Sequence, residues 1–174
     1  MVARHDYNKN VLSVLRRFKY LLEKTPDWPG RLILIGKKGR QTPEILKYLA
    51  SLNITDQIIL KSSVTQSELL SFYRDSLALV SASLMEGFDY PIMEAKAEGL
   101  PTIISNIPAH QEIHASSSLF FELNHSHDEF IDAVQKLATL NSIWNDLSIA
   151  GYDLANALTL NRQNYKIASL LKKV

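Results

Sequence analysis

The sequence predicts an α/β fold in which a parallel sheet carries helices on both faces and the C-terminal part of the chain is helical. Helical and strand-like hydrophobic periods alternate along the 174 residues, which is typical of a parallel sheet covered by helices. The strand-like segments are continuous apolar runs, as expected for strands buried on both faces. The length suits one hydrophobic core and no linker interrupts the pattern, so we expect residues 1–174 to form a single domain.

The first helices and the first apolar strand have clear start and stop signals. Apolar residues recur at helical spacing over 11–22, which predicts a helix of roughly four turns. The apolar run 31–36 ends in a glycine and predicts a central strand. Thr42 is the expected N-cap of the next helix, with Pro43 at its first position, where no backbone donor is needed.

Strands and helices continue to alternate after that point. Thr65 and Glu68 have the spacing of a capping box and predict the start of a helix. A further helix is expected to begin at Pro91, and from residue 128 onward the hydrophobic period is helical to the end of the chain. The strands predicted in this part of the sequence are 57–61, 77–81, 102–105 and 119–121.

The composition excludes several classes of protein. The 19 Lys and Arg residues nearly balance the 18 Asp and Glu residues, and the net charge of +1 gives no reason to expect a nucleic acid as partner. Because there is no cysteine, disulfides, thiolate metal sites and cysteine nucleophiles are excluded, and a reducing compartment fits best. No apolar run approaches the ~20 residues of a membrane span.

The most distinctive segment follows the third predicted strand, where the ligand of a parallel sheet is expected to bind. Glu86 and Glu94 are separated by seven residues across a junction between a loop and a helix. The free amides of the first helical turn would form a site suited to phosphate, and Glu94 can accept hydrogen bonds from vicinal hydroxyls. The alternative is that both glutamates only stabilise the helix N-terminus, by ~0.3–1 kcal/mol each.

The segment 86–101 closely resembles the E-x7-E motif of retaining glycosyltransferases of the GT-B fold, the large family four. The flanking order is also similar: 67–73 resembles the helix before the motif, and 105–113 resembles the loop after it. The resemblance runs from residue 4 to about residue 121 and more loosely through the C-terminal helices. It implies a Rossmann-like domain, the C-terminal and donor-binding half of a GT-B enzyme.

The resemblance implies a role for each residue of the motif. Glu86 would contact hydroxyls of the transferred sugar, and Glu94 would bind the ribose of the nucleotide. Asp89 stands where the family usually has glycine, so its side chain is expected to narrow the donor pocket. The phosphates and sugar of the donor would meet the backbone amides of Gly87, Phe88, Asp89 and Tyr90.

The resemblance also gives roles to two other segments. Arg4 and Lys9 match a basic pair of the family and would stabilise the leaving nucleoside diphosphate without a metal. By spacing alone, the same two residues fit a solvated basic segment near a helix start equally well. Ser62 and Val64 lie where the family holds the nucleobase through backbone groups. The histidines of the chain do not form a ligand set with a carboxylate on the same face, so we expect no metal site.

The sequence is therefore interpreted as the donor-binding domain of a retaining glycosyltransferase that uses a nucleotide-diphosphate sugar and no cofactor. The chain is expected to be inactive alone, because the N-terminal acceptor domain is missing from it. The loop 105–112 resembles members that transfer mannose in surface-polysaccharide synthesis. A cytoplasmic enzyme is expected, with peripheral association at the inner face of the cytoplasmic membrane as one option. The alternative is a non-catalytic nucleotide-sugar-binding subunit or sensor of the same fold.

Overall fold

The computed structural model describes residues 1–52, 54–123 and 126–159, and within them it has the predicted α/β architecture. Strands and helices alternate, with short 3-10 turns at Tyr7–Lys9 and Thr55–Gln57. The strands are β1 (Leu32–Ile35), β2 (Ile58–Lys61), β3 (Leu79–Ser81), β4 (Thr102–Ser105) and β5 (Leu119–Phe121). The helices are α1 (Val11–Lys24), α2 (Thr42–Ala50), α3 (Gln66–Arg74), α4 (Tyr90–Ala97), α5 (Pro108–His114), α6 (Asp128–Thr139) and α7 (Asn141–Ala157).

All strand pairs in the described residues are parallel, as predicted. One sheet pairs β1 with β2, and the other has the order β3-β4-β5. The N-terminal residues add a short segment beside β1, because Val2 forms a parallel bridge with Ile35 and the Ala3 amide donates to the Ile35 carbonyl at 2.8 Å. Arg4 therefore follows the end of a strand segment, as the family resemblance implied.

Helices cover both faces of the second sheet. Neighbouring residues of a strand point to opposite faces, so each strand packs into two different apolar clusters. Val80 and Ile103 pack in one apolar cluster together with residues of α1 and α6. Leu79 and Ile104 pack in another cluster with Ile92 of α4. This arrangement confirms the predicted layers, in which a buried sheet separates two sets of helices.

The helix starts agree with the sequence analysis at one position and differ at another. The capping box before α3 is confirmed, since the Glu68 amide donates to the Thr65 hydroxyl and the Thr65 amide donates to the Glu68 carboxylate. The prediction that Thr42 caps α2 is wrong, because Thr42 lies inside the helix and Gln41 occupies the N-cap. The Thr42 hydroxyl instead accepts a hydrogen bond from the Gly39 amide at 2.9 Å, closing the preceding turn.

The C-terminal helices pack against the second sheet. The Trp144 indole of α7 donates to the carbonyl of Leu77 at 2.9 Å, just before β3, which begins two residues later than predicted. The predicted helical pattern beyond residue 159 lies outside the described residues. Within the described residues, no helix combines the length and apolar character needed to cross a membrane.

A lysine is buried between α4 and α7. The Lys96 side chain is 1% exposed, and its ammonium donates to the Ser117 carbonyl at 2.8 Å and to the Ser118 hydroxyl at 3.0 Å. Gly151 of α7 lies against its stem, where an added Cβ would be 3.0 Å from Lys96 Cγ. Burial lowers the pKa of Lys96 to about 7, because the charged form loses its hydration and its hydrogen-bond partners carry no negative charge.

Candidate functional site

Two segments that are distant in sequence meet at the carboxyl edge of the strands. One is the loop that follows the N-terminal strand segment, and the other is the loop 84–89 between β3 and α4. Their backbones are joined by a hydrogen bond from the Leu84 amide to the Asn8 carbonyl at 2.7 Å. Their side chains are joined by Lys9, whose Nζ lies 2.5 Å from Glu86 Oε1 across a separation of 77 residues. The structure thus brings the two predicted constellations together.

Lys9 is held by two carboxylates. Besides Glu86, its ammonium donates to Asp89 Oδ1 at 3.0 Å. Burial on its own lowers the pKa of Lys9, but the hydrogen bonds and charges of the two carboxylates outweigh burial and raise it above its ordinary value. Lys9 is therefore a fixed cation at the start of α4.

The Asp89 carboxylate points into the domain rather than into the open edge. It accepts a hydrogen bond from the Ser81 hydroxyl at 2.8 Å, and His110 Nε2 lies 3.3 Å from the same oxygen. Burial raises the pKa of Asp89, but His110, Lys9 and Ser81 together hold it below its ordinary value. This geometry differs from the expectation that the Asp89 side chain narrows the donor pocket, because the side chain is only 3% exposed.

The N-terminus of α4 is left without a side-chain cap. Asp89 is the N-cap residue, in the left-handed conformation with φ 55°, and its carboxylate makes no capping hydrogen bond. Asp is ordinarily a strong N-cap, but this carboxylate instead contacts Lys9, Ser81 and His110. Beside it, a Cβ added at Gly87 would meet no atom within 4 Å. The backbone before the helix start is therefore sterically open at Gly87.

Glu94 lies one turn into α4, with its side chain exposed at the same edge. The buried Tyr73 of α3 donates its hydroxyl to Glu94 Oε2 at 3.0 Å. Burial and the charge of Glu94 both raise the pKa of Tyr73, so this hydroxyl stays protonated and acts as a donor. The sequence predicts only that Tyr73 lies on a helix, since nothing local signals that its hydroxyl reaches another helix.

Arg4 is not brought into contact with Lys9. Its guanidinium pairs with Asp6 at 3.3 Å, and its side chain is 65% exposed. A cleft of about 340 Å³ opens there, lined by Arg4, Asp6, Tyr7, Asn8 and Arg40. Arg40, which the sequence analysis did not single out, thus adds a second arginine to this rim.

The remaining predicted site residues lie along the same edge. Ser62 and Val64 belong to the connection between β2 and α3, where Ser62 is exposed and Val64 is half-buried. The rings of Phe88 and Tyr90 contact each other with centroids 5.1 Å apart. Their roles toward a donor stay predictions. Among the described residues, no group of three or more His, Asp or Glu side chains is placed to hold a metal ion.

Comparison with known families decides what kind of domain this is. Residues 1–153 match the model of the family described as glycosyl transferases group 1. The chain belongs to this family. The resemblance found in the sequence is thereby confirmed, and the matched residues include both segments that meet at the candidate site.

The group 1 domain is similar to part of two longer bacterial proteins. It is 28% identical over 138 residues to the GDP-mannose:cellobiosyl-diphosphopolyprenol alpha-mannosyltransferase of Xanthomonas oryzae pv. oryzae, covering 78% of this chain and 36% of the relative. It is 28% identical over 151 residues to the O-antigen chain mannosyltransferase RfbU of Salmonella typhimurium, covering 86% of this chain and 41% of the relative. The chain spans well under half the length of these relatives.

A solved structure shares the fold of the group 1 domain over most of both chains. It is the C-terminal domain of LpcC, a glycosyl transferase group 1 family protein from Francisella tularensis. The TM-score is 0.73 with 24% identity, and the match covers 90% of this chain and 83% of that one. The predicted Rossmann-like α/β fold is confirmed.

Proposed function

We propose that this domain binds the nucleotide-diphosphate sugar of a retaining glycosyltransferase at the junction of the Arg4–Asn10 loop and α4. The observation that carries the proposal is that Lys9 is fixed by Glu86 and Asp89 at a helix start whose own cap is turned away. A cation beside a helix start that has no side-chain cap suits a pyrophosphate.

The pyrophosphate would lie between the start of α4 and Lys9, with Arg4 on its solvent side. As the bond to the sugar breaks, negative charge grows on the leaving nucleoside diphosphate, and these groups would stabilise it. Both cations come from the protein, so we propose that no metal ion is needed. The backbone amides from Gly87 to Tyr90 would donate to the phosphates and the sugar.

The two glutamates would divide the rest of the donor between them. The exposed Glu94 carboxylate, whose Oε2 accepts from the Tyr73 hydroxyl, would accept hydrogen bonds from the ribose hydroxyls. Glu86 would bind hydroxyls of the transferred sugar next to the reacting carbon. The connection containing Ser62 and Val64 would border the nucleobase.

The identity of the donor is proposed from the relatives. Both bacterial relatives are named mannosyltransferases, and one uses GDP-mannose, so we propose GDP-mannose as donor in the assembly of a surface polysaccharide. The acceptor would bind to an N-terminal domain outside this chain, and the chain alone would not transfer sugar to an acceptor. A lipid-linked acceptor would bring the full-length enzyme to the cytoplasmic face of the membrane.

Titration of the 174-residue chain with GDP, UDP and ADP, with and without EDTA, tests the proposal. We expect GDP to bind most tightly and EDTA to leave its affinity unchanged. Undetectable binding of all three nucleotides at millimolar concentration would contradict the donor site. Loss of binding in EDTA would contradict metal independence alone, and preference for UDP would contradict only the choice of donor.

A further inference from the structure

The two carboxylates that hold Lys9 differ in how firmly they are fixed. Asp89 is 3% exposed and also faces Ser81 and His110, so it has three partners. Among the described residues, Lys9 is the one hydrogen-bond partner of the Glu86 carboxylate, which is 11% exposed. The contact between Lys9 and Glu86 can therefore break while the contact between Lys9 and Asp89 persists.

Glu86 lies on the less constrained backbone of the pair. Glu86 lies in the loop before α4, outside any helix or strand, and its neighbour Gly87 borders open space. Lys9 closes a 3-10 turn, and Asn10 after it donates its amide back to the Tyr7 carbonyl at 3.1 Å. An exchange of partners would therefore move the Glu86 side chain and leave the ammonium in place.

We propose that Glu86 is an internal ligand of Lys9 that the donor must displace, which makes it a determinant of preference for nucleotide-sugar over bare nucleotide. The inference rests on the proposed function. A bare nucleoside diphosphate competes with Glu86 for the ammonium, because both are anions. A nucleotide-sugar replaces the hydrogen bond that Glu86 loses from Lys9, because the sugar hydroxyls donate new hydrogen bonds to the Glu86 carboxylate.

The same exchange would act in reverse after transfer. Once the sugar has left for the acceptor, Glu86 has no hydroxyls to bind and returns to Lys9. Glu86 then competes with the pyrophosphate for the stationary ammonium, and the nucleoside diphosphate is released more readily. Asp89 keeps Lys9 in position throughout, ready for the next donor.

Four forms of the chain test the exchange by NMR titration with GDP and GDP-mannose: wild type, Glu86→Gln, Lys9→Met and the double variant. We expect Glu86→Gln to bind GDP about tenfold more tightly, the size of a hydrogen bond to a charged group. In the Lys9→Met background the same substitution should change GDP affinity less than about twofold. Without Lys9 there is no ammonium for which Glu86 and GDP can compete. The preference for GDP-mannose over GDP should fall in Glu86→Gln.

A matched control separates this exchange from a general loss of negative charge. Glu44 lies at the same edge, where its carboxylate accepts from the Tyr7 hydroxyl at 2.7 Å, and Glu44→Gln should leave GDP affinity within about twofold. The inference is overturned if Glu86→Gln does not tighten GDP binding, if the gain persists without Lys9, or if Glu44→Gln gives the same gain. A wild-type chain that binds neither ligand overturns the proposed function and this inference with it.

Discussion

The contact between Tyr73 and Glu94 holds a candidate site residue through one buried hydroxyl. Glu94 is exposed on α4, and an exposed glutamate would ordinarily sample several rotamers. The Tyr73 hydroxyl donates to one of its oxygens at 3.0 Å and leaves the other for a ligand. On the proposed function, the carboxylate would be oriented before a ribose binds, so less conformational entropy would be lost on binding.

Replacing Glu94 by Gln is expected to weaken nucleoside diphosphate binding by about 1.5–3 kcal/mol, the range for a hydrogen bond to a charged group. Tyr73→Phe should weaken it by less, about 1 kcal/mol, because Tyr73 acts through Glu94. Calorimetric titration of both variants measures the two effects.

Glu98→Gln serves as the control for these substitutions. Glu98 follows α4 and pairs with Arg74 at 2.7 Å, away from the loop 84–89. The Glu98→Gln variant should bind the nucleotide with the same affinity as the wild type. Unchanged affinity of Glu94→Gln, or an effect of Tyr73→Phe larger than that of Glu94→Gln, would contradict the assigned roles.

At the scale of elements, the sequence predicts those helices and strands whose start and stop signals come from neighbouring residues. The strands and the capping box before α3 were predictable because their signals lie within a few residues. Thr42 was assigned wrongly because the Gly39 amide competes for its hydroxyl, and residue type alone does not rank two such partners. The inward turn of Asp89 was not predictable either, since its partners Lys9 and His110 come from distant segments.

The capping box gives a prediction for α3, the helix that carries Tyr73. Thr65→Ala removes the acceptor of the Glu68 amide and should lower the free energy of unfolding by about 1 kcal/mol. Ser67→Ala, in the first turn of the same helix, should change it by less than about 0.5 kcal/mol. Urea denaturation of both variants makes the comparison, and equal stability of the two would contradict the cap.

At the scale of the whole molecule, the buried Lys96 makes stability depend on pH. It faces the Ser117 carbonyl, the Ser118 hydroxyl and His114, whose own pKa is lowered to about 3, first by burial and then by Lys96. The pKa of Lys96 is about 7 in the folded chain and 10.5 in its ordinary state. Between these values the unfolded chain binds more protons, so this group makes the free energy of unfolding rise with pH.

The prediction is that wild type gains stability relative to Lys96→Met from pH 7.5 to 9.5. The slope of the difference should be at most about 1.4 kcal/mol per pH unit, because a single proton is involved. Urea denaturation at several pH values measures it. Lys19→Met, at an exposed lysine of α1, should show no comparable slope, and a flat difference for Lys96→Met would contradict the assignment.

The hydrogen bond from Trp144 to the Leu77 carbonyl gives the molecule a built-in optical reporter. The chain has two tryptophans, Trp28 and Trp144. With Trp28 replaced by Phe, indole emission comes from one ring, whose NH is held where the chain enters β3. Detachment of α7 would expose that ring to water and shift its emission to the red. The wavelength of the Trp144 emission would then show whether α7 leaves the sheet before the rest of the domain unfolds or together with it.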